Sequence, residues 1–502
     1  MHEFTDSELR PTTGGESPDT SGDRKRWLAL YVLCAGMLMI VLDATIVNVA
    51  LPSIQADLGF SQANLAWVVN AYLIPFGGLL LLAGRLGDLI GQRRIFLAGL
   101  TVFTAASVLC AVAPGQGMLI GARFVQGVGG ALTSAVILGM IVTMFPEPRE
   151  QAKAIGVYGF VASAGGSIGL LAGGVLTDAI NWHWIFFINL PVGLVTGALA
   201  LKLVDGQPGI GMRQGADIPG AALLTGGLML GVYTILGIGE HGWTAPRTLL
   251  LGAVSVALVT AFLVRQARIA NPLMPLRLFR SRLVAGANVV QTLLVVGMFG
   301  MFFLGALYLQ QILQYSALEV GLAFLPATVV MGAMSLRVSG PLTIKYGPLK
   351  VLVPALVFIG LGLVLFARTP VDGTFVADVL PAMVLIGAGA GLGFPSLVTL
   401  AMSGATPSDA GLASGVVNTS TQVGGAIGLA VLATIAAERT ASQVLSGHTP
   451  AEALNSGFHV AYLVGAVLVV AAIGIALAVL RPEKSGATVT DPGTEPVLPE
   501  AA

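Results

Sequence analysis

The sequence predicts an all-α polytopic membrane protein of about 14 transmembrane helices, and three observations predict it. The 502-residue chain is 55% hydrophobic and 10% charged, with a mean hydropathy of +0.87, whereas soluble domains carry roughly 25% charged residues. Apolar runs recur along almost the whole chain, each long enough to cross a ~30 Å hydrocarbon core with about 20 residues at 1.5 Å rise. Lipid offers no water to unpaired backbone groups, so a chain with 66 glycines and this hydropathy forms a close-packed helix bundle rather than an open sheet.

Windows broken by charge, Pro and Gly place spans at about 27–51, 64–84, 95–113, 118–144, 153–176, 184–203, 216–237, 248–266, 283–307, 319–341, 349–367, 376–400, 409–435 and 458–480. The basic residues test this map. Of the 25 Lys and Arg, only Arg247, Arg368 and Arg439 fall on the side opposite the amino terminus, and Arg123 falls inside a span. Such asymmetry predicts that both termini are cytoplasmic and the span number even. Residues 1–26 and 481–502, rich in small and polar residues, read as disordered cytoplasmic tails. Nineteen Arg against six Lys, with abundant Ala and Gly, hint at a GC-rich bacterial genome and hence a bacterial cell membrane.

Other classes are poorly supported. Zero formal net charge argues against a nucleic-acid partner, and no Gly-x-x-x-x-Gly-Lys-Ser/Thr run exists to cradle ATP phosphates. Cys34 and Cys110 lie inside spans and read as small apolar side chains, implying neither a disulfide nor a metal site. The five histidines are scattered, with no nucleophile, base and orienting acid at one spacing, so an enzyme is not expected, nor any cofactor.

An internal repeat suggests two halves. Gly84-Arg-Leu-Gly-Asp-Leu-Ile-Gly91-Gln-Arg-Arg94, after the second span, aligns without gaps to Gly340-Pro-Leu-Thr-Ile-Lys-Tyr-Gly347-Pro-Leu-Lys350 after the tenth, and the second copy lacks the acid. Two six-helix halves follow, 27–203 and 283–480, with an inserted helix pair and linker at 204–282.

Four stretches carry a resemblance to the fourteen-spanner drug:proton antiporters of the major facilitator superfamily. Leu42-Asp-Ala-Thr-Ile-Val-Asn-Val-Ala-Leu-Pro52 is similar to the motif of the fourteen-spanner group, and the 84–94 segment to the superfamily loop between helices 2 and 3. Arg123-Phe-Val-Gln126-Gly127-Val-Gly129-Gly130 resembles the arginine motif of helix 4. Gly165-Gly-Ser-Ile-Gly169-Leu-Leu-Ala-Gly173-Gly174 resembles the antiporter motif of helix 5, with Leu170 where that motif carries Pro. The later Trp182-His-Trp-Ile-Phe-Phe-Ile-Asn-Leu-Pro191 has His183 where the family often shows Arg, and Asn418-Thr-Ser-Thr-Gln422 in helix 13 lacks an embedded acid. The resemblance implies efflux of drugs, antibiotics or other small molecules in exchange for protons by alternating access, and a bundle of this size is expected to work as a monomer. A proton-coupled metabolite importer of the same superfamily is the alternative.

Of 25 acidic residues, Asp43 is the one well inside a span, while Asp178, Glu319 and Asp378 fall near outer helix ends and Asp217 near an inner one. A carboxylate at membrane depth costs at least ~2.5–3.5 kcal/mol, so it persists where it is paired, hydrated or used. Arg123 reaches a similar depth and Gln126 shares its face. The three read as a proton-coupling group, or as a static pair that fixes packing. Asp88, Arg93 and Arg94, with Gly84 and Gly91, read as a cytoplasmic gate clasp or as a plain positive-inside signal. Gly165, Gly169 and Gly173, with Gly174, form a smooth stripe that reads as a sliding interface or as generic packing. Asn70, Tyr72, Asn288, Gln291, Asn418 and Gln422 are candidate cavity-lining residues; interhelical bonding is the common alternative for such amides.

Overall fold

In a computed structural model, the structure describes residues 20–404 and 410–480 apart from 207, 210 and 212–214. The predicted tails at 1–19 and 481–502, and Arg213, lie outside the described residues.

Fourteen helices among the described residues are long and apolar enough to span a membrane: α1 (Arg24–Leu58), α2 (Gln62–Ile90), α3 (Gln92–Ala111), α4 (Gln116–Met144), α5 (Arg149–Ala179), α6 (Trp184–Leu203), α7 (Ile218–Leu236), α8 (Pro246–Arg268), α9 (Arg282–Ile312), α10 (Ala317–Tyr346), α11 (Pro348–Phe366), α12 (Phe375–Ser403), α13 (Ala413–Leu445) and α14 (Pro450–Val479). They alternate in direction, so α1 begins and α14 ends on one face, called here the terminus face.

Two boundaries differ from expectation. Residues 20–26 are already helical rather than disordered, because the helix runs on into water where Lys25 pairs with Asp205 and Arg26 with Glu150. Helix α13 continues past Glu438 and Arg439 to Leu445, and α14 starts at Pro450 behind a Thr449–Glu452 capping box. Charge marks where apolar sequence ends, but hydrogen-bonded helix does not need lipid and stops only at a cap.

Helices α1–α6 pack mainly on one another, as do α9–α14, giving two six-helix halves that meet along two seams, α5 on α10 and α2 on α13. At the first seam a Cβ on Gly174 would meet the backbone of Ala317 and Leu318 at 2.7 Å, so only a bare backbone allows this approach. The inserted pair sits beside the second seam: α7 packs on both α2 and α13, and α8 packs chiefly on α7, with most of its surface facing outward.

Asp217 anchors that pair. Its carboxylate caps α7 through the Gly220 amide at 3.0 Å and accepts from Arg265 Nε and Gln266 Nε2 of α8, both at 2.6 Å. Burial pushes the Asp217 carboxyl up, but the hydrogen bonds from Arg265, Gly220 and Gln266 outweigh it and hold the group below the usual carboxylate range.

Candidate functional site

A cavity of about 1670 Å³ lies between the halves. It runs from the terminus face, where Arg85, Asp88, Arg277 and Arg280 line its mouth, to mid-depth at Thr45, Tyr72, Phe299 and Gln422. The opposite end is closed by contacts between the halves. Gln310 Nε2 donates to the Val49 carbonyl at 2.6 Å and Gln311 Nε2 to Gln55 Oε1 at 2.7 Å. Asp178, at the end of α5, accepts from the Ala317 and Leu318 amides at 3.1 and 2.8 Å, capping the start of α10 from the other half. The molecule is therefore open on the terminus face and shut on the other.

Asp43 does not line this cavity. Helix α1 turns Ile40, Val41, Ala44 and Thr45 toward it and Asp43 away, into the interior of the first half, where it is fully buried. There Asp43 Oδ2 meets Arg123 Nη1 at 2.5 Å, and Oδ1 accepts from Gln126 Nε2 at 2.7 Å and Asn189 Nδ2 at 3.0 Å. Ser107 accepts from the Asn189 and Gln126 amides at 2.9 and 3.2 Å and donates to the Phe186 carbonyl at 2.9 Å. Arg123 also donates to the Gln126 side-chain oxygen at 2.8 Å and to the Val68 carbonyl at 3.0 Å. One carboxylate thereby ties α1, α2, α3, α4 and α6 together. Each ion loses several kcal/mol of hydration on burial, offset by the pairing and by donors filling the remaining lone pairs.

Tyr72 stands between this network and the cavity. It lines the cavity, and its ring centroid lies 4.4 Å from the Arg123 guanidinium carbon. Phe186 covers the guanidinium from 5.7 Å.

The anticipated trio of Asp43, Arg123 and Gln126 is thus brought together, whereas Asn189 and Ser107 were not anticipated. Asn189 had a signal: an amide two residues before Pro191 in an apolar segment. Ser107 had none, since a serine in a spanning helix ordinarily bonds its own backbone.

The remaining candidates divide. Tyr72, Asn418 and Gln422 line the cavity. Asn70 is fully buried with neither amide atom partnered, Asn288 donates to the Val284 carbonyl at 2.8 Å, and Gln291 donates to Thr421 at 3.1 Å, so none of these three is at the cavity wall. A shared helix face did not tell the wall from a helix–helix contact.

The glycine stripe packs against α1. Cβ atoms on Gly165, Gly169 and Gly173 would press on Val41, the Leu42 carbonyl and the Ile46 carbonyl, all on α1 of the same half, so the stripe packs within a half. Only Gly174 faces the other half.

The 84–94 segment is not a loop. α2 runs to Ile90, the single residue Gly91 reverses the chain at φ 111°, and α3 starts at Gln92. No ion pair joins Asp88 to Arg93 or Arg94: Arg93 donates to the Leu201 carbonyl of α6, Asp88 sits beside Arg85 and Gln92, and Arg94 is exposed. Gly84 and Asp88 line the cavity mouth instead. His183 lies 3.9 Å from Asp57, which accepts from Trp182 Nε1 at 3.0 Å.

Two pseudo-equivalent helical halves around a one-sided cavity, with a carboxylate–guanidinium pair buried beside it, have the architecture of a membrane transporter. The chain matches the Major Facilitator Superfamily over residues 33–429 and belongs to it; it is a multi-pass membrane transporter and not an enzyme. Within that superfamily it falls with the drug-efflux branch. It is 38% identical over 474 residues to the puromycin resistance protein pur8 of Streptomyces alboniger, covering 93% of this chain and 94% of the relative. It is 37% identical to the cephamycin export protein CmcT of Amycolatopsis lactamdurans, with 94% and 96% covered. With the lincomycin resistance protein of Streptomyces lincolnensis it shares 35% identity, covering 83% and 86%. Among solved structures, a bacterial homologue of the lysosomal transporter Spinster, in an inward-facing, unoccupied conformation, superposes with a TM-score of 0.63 at 16% identity, over 91% of this chain and 97% of that one. At that identity the likeness concerns the fold alone.

Proposed function

We propose that this protein exports drug-like or antibiotic small molecules in exchange for protons by alternating access, with both termini in the cytoplasm, so that the cavity described is the inward-open state. The relatives' names, for puromycin and lincomycin resistance and cephamycin export, support outward movement of such compounds. The observation that carries the proton step is the fully buried Asp43 carboxylate, one aromatic ring away from the cavity. A carboxylate kept at membrane depth and held by one cation and two amides has a charge that a single proton removes.

Tyr72 is the route of coupling. Cargo pressing on its cavity face shifts the ring that stacks on Arg123, and protonation of Asp43 releases the same guanidinium from the other side. Both events act on one cation, so occupancy by proton or cargo biases the two access states in opposite senses. Outward opening then requires the α5–α10 seam to part at Asp178, while Asp88 and Arg94 approach groups of the other half at the closing mouth.

The test is compound accumulation in cells expressing wild type or Asp43→Asn at matched membrane levels, with and without a protonophore. Export lost with either treatment supports antiport through Asp43. Accumulation that rises with wild type instead means import, and Asp88→Asn with unchanged transport removes the gate role from that residue.

A further inference from the structure

The charge on the cavity wall restricts the cargo, and this inference rests on the exporter reading above. Among the described residues the only carboxylate lining the cavity is Asp88, exposed at the mouth in the company of Arg85, Arg277 and Arg280. Deeper in, no described lining residue is charged. The sequence places no acid at that depth except Asp43, which faces away and is neutralised by Arg123 at 2.5 Å. The deep wall is therefore close to neutral while Asp43 is ionised. It becomes positive by one unit when a proton is bound, because Arg123 keeps its charge. In neither state does it turn negative.

A cation leaving water for such a wall would find no counter-ion, and an unpaired buried charge is strongly disfavoured. Of the aromatic rings on the wall, Tyr72 already carries Arg123, and Phe76, Tyr158 and Phe299 are neutral groups that offer a cation a ring face but no counter-charge. An uncharged molecule meets no such penalty, and an anion finds counter-charges in Arg85, Arg277 and Arg280 at the mouth and in Arg123 once Asp43 takes a proton. The wall also offers it hydrogen bonds. Asn418 and Gln422 lie four residues apart on α13, facing the cavity, and neither amide bonds to another described group. Across from them, Phe76 and Phe299 supply apolar surface. A volume of about 1670 Å³ exceeds the 300–1,000 Å³ of ordinary drug sites, which suits a large polycyclic or glycosylated scaffold.

We infer that the cavity accepts uncharged or anionic amphiphiles bearing hydrogen-bonding groups and rejects permanent cations, with Asn418 and Gln422 reading the polar part of the cargo. The experiment is binding to the purified full-length protein in lipid nanodiscs at pH 8, followed by fluorescence anisotropy against empty nanodiscs. Two xanthene dyes serve as probes, anionic fluorescein and cationic rhodamine 123. Wild type is expected to favour fluorescein by at least tenfold. Asn418→Asp and Gln422→Glu, near-isosteric changes that place a carboxylate on the deep wall, should each raise rhodamine 123 affinity about tenfold and weaken fluorescein.

Equal or tighter rhodamine 123 binding by wild type overturns the inference. So does failure of both folded variants to gain it. Because the readout is binding, it is separable from the exporter reading: a charge preference with no transport would sink export alone, and vigorous export of rhodamine 123 would sink the charge rule alone.

Discussion

The junctions α2–α3 and α10–α11 share a backbone and differ in chemistry. Each turns on one glycine in the left-handed region, Gly91 at φ 111° and Gly347 at φ 86°, and each glycine ends one helix while starting the next. Only glycine enters that region without a steric penalty, so the repeated Gly preserves the turn. The position of Asp88 in the first copy is Ile344 in the second, where the side chain is 89% exposed. The same contrast runs through the halves. In α1–α6 a buried ion pair with three further polar side chains joins five helices, whereas in α9–α14 the buried polar contacts are neutral, such as Gln291 to Thr421 and Asn455 to the Thr369 carbonyl at 2.8 Å. The second half also carries three wide π turns, at Tyr308–Ile312, Met334–Ser339 and Phe375–Val379, a rare turn found frequently at functional sites. One half holds the buried charges; the other is joined by neutral polar contacts and turns the amides of Asn418 and Gln422 toward the cavity.

The sharpest way to break this contrast is to remove one charge. Arg123→Leu leaves Asp43 buried without its cation and should cost on the order of 3–5 kcal/mol, seen as a lowered melting temperature or loss of folded protein in detergent. Adding Asp43→Asn should restore much of that stability without restoring proton-driven transport. Gln291→Leu, in the neutral half, should cost only about 1 kcal/mol. Equal losses in the two halves would erase the distinction.

Glycine substitutions give a smaller separation. A Cβ on Gly169 would sit 2.9 Å from the Leu42 carbonyl, while one on Gly84 would meet nothing within 4 Å. Gly169→Ala should therefore lower stability by about 1–3 kcal/mol, and Gly84→Ala should leave it unchanged or raise it by roughly 0.5–1 kcal/mol. Comparative melting curves decide this.

At the seam, Asp178→Ala removes the cap that α5 places on α10, a change worth about 1 kcal/mol. It should move the population several-fold toward the state open on the opposite face, read as a longer distance between spin labels on the outer ends of α5 and α10. The Asp43 network should not feel it.

The smallest effect concerns the inserted pair. The Asp217 carboxyl is held below the usual range by its donors, so its ionised form stabilises the fold above about pH 4, the unfolded value, and that stability is lost as pH falls through the lower folded value. The gap in melting temperature between wild type and Asp217→Asn should stay constant from pH 5 to 8 and shrink only below pH 4.

Helix number, alternation and the identity of the one acid at membrane depth were legible in the sequence, because lipid imposes length and hydropathy on each segment separately. The Asp43–Arg123–Gln126 set was legible for the same reason: ionisable groups are too costly in lipid to be incidental. Neutral groups carry no such penalty, so apart from the nearby Pro191 the sequence did not separate Asn189, which reaches Asp43, from Asn70, whose amide has no partner among the described residues. Which face of a helix meets a cavity, a neighbour in its own half or the opposite half is a property of the assembled bundle. That is why the glycine stripe of α5 packs against α1, why Arg93 turned to the Leu201 carbonyl, and why Asp43 stands behind Tyr72 rather than at the wall. A local pattern fixes what a segment can bury; only tertiary packing decides against what.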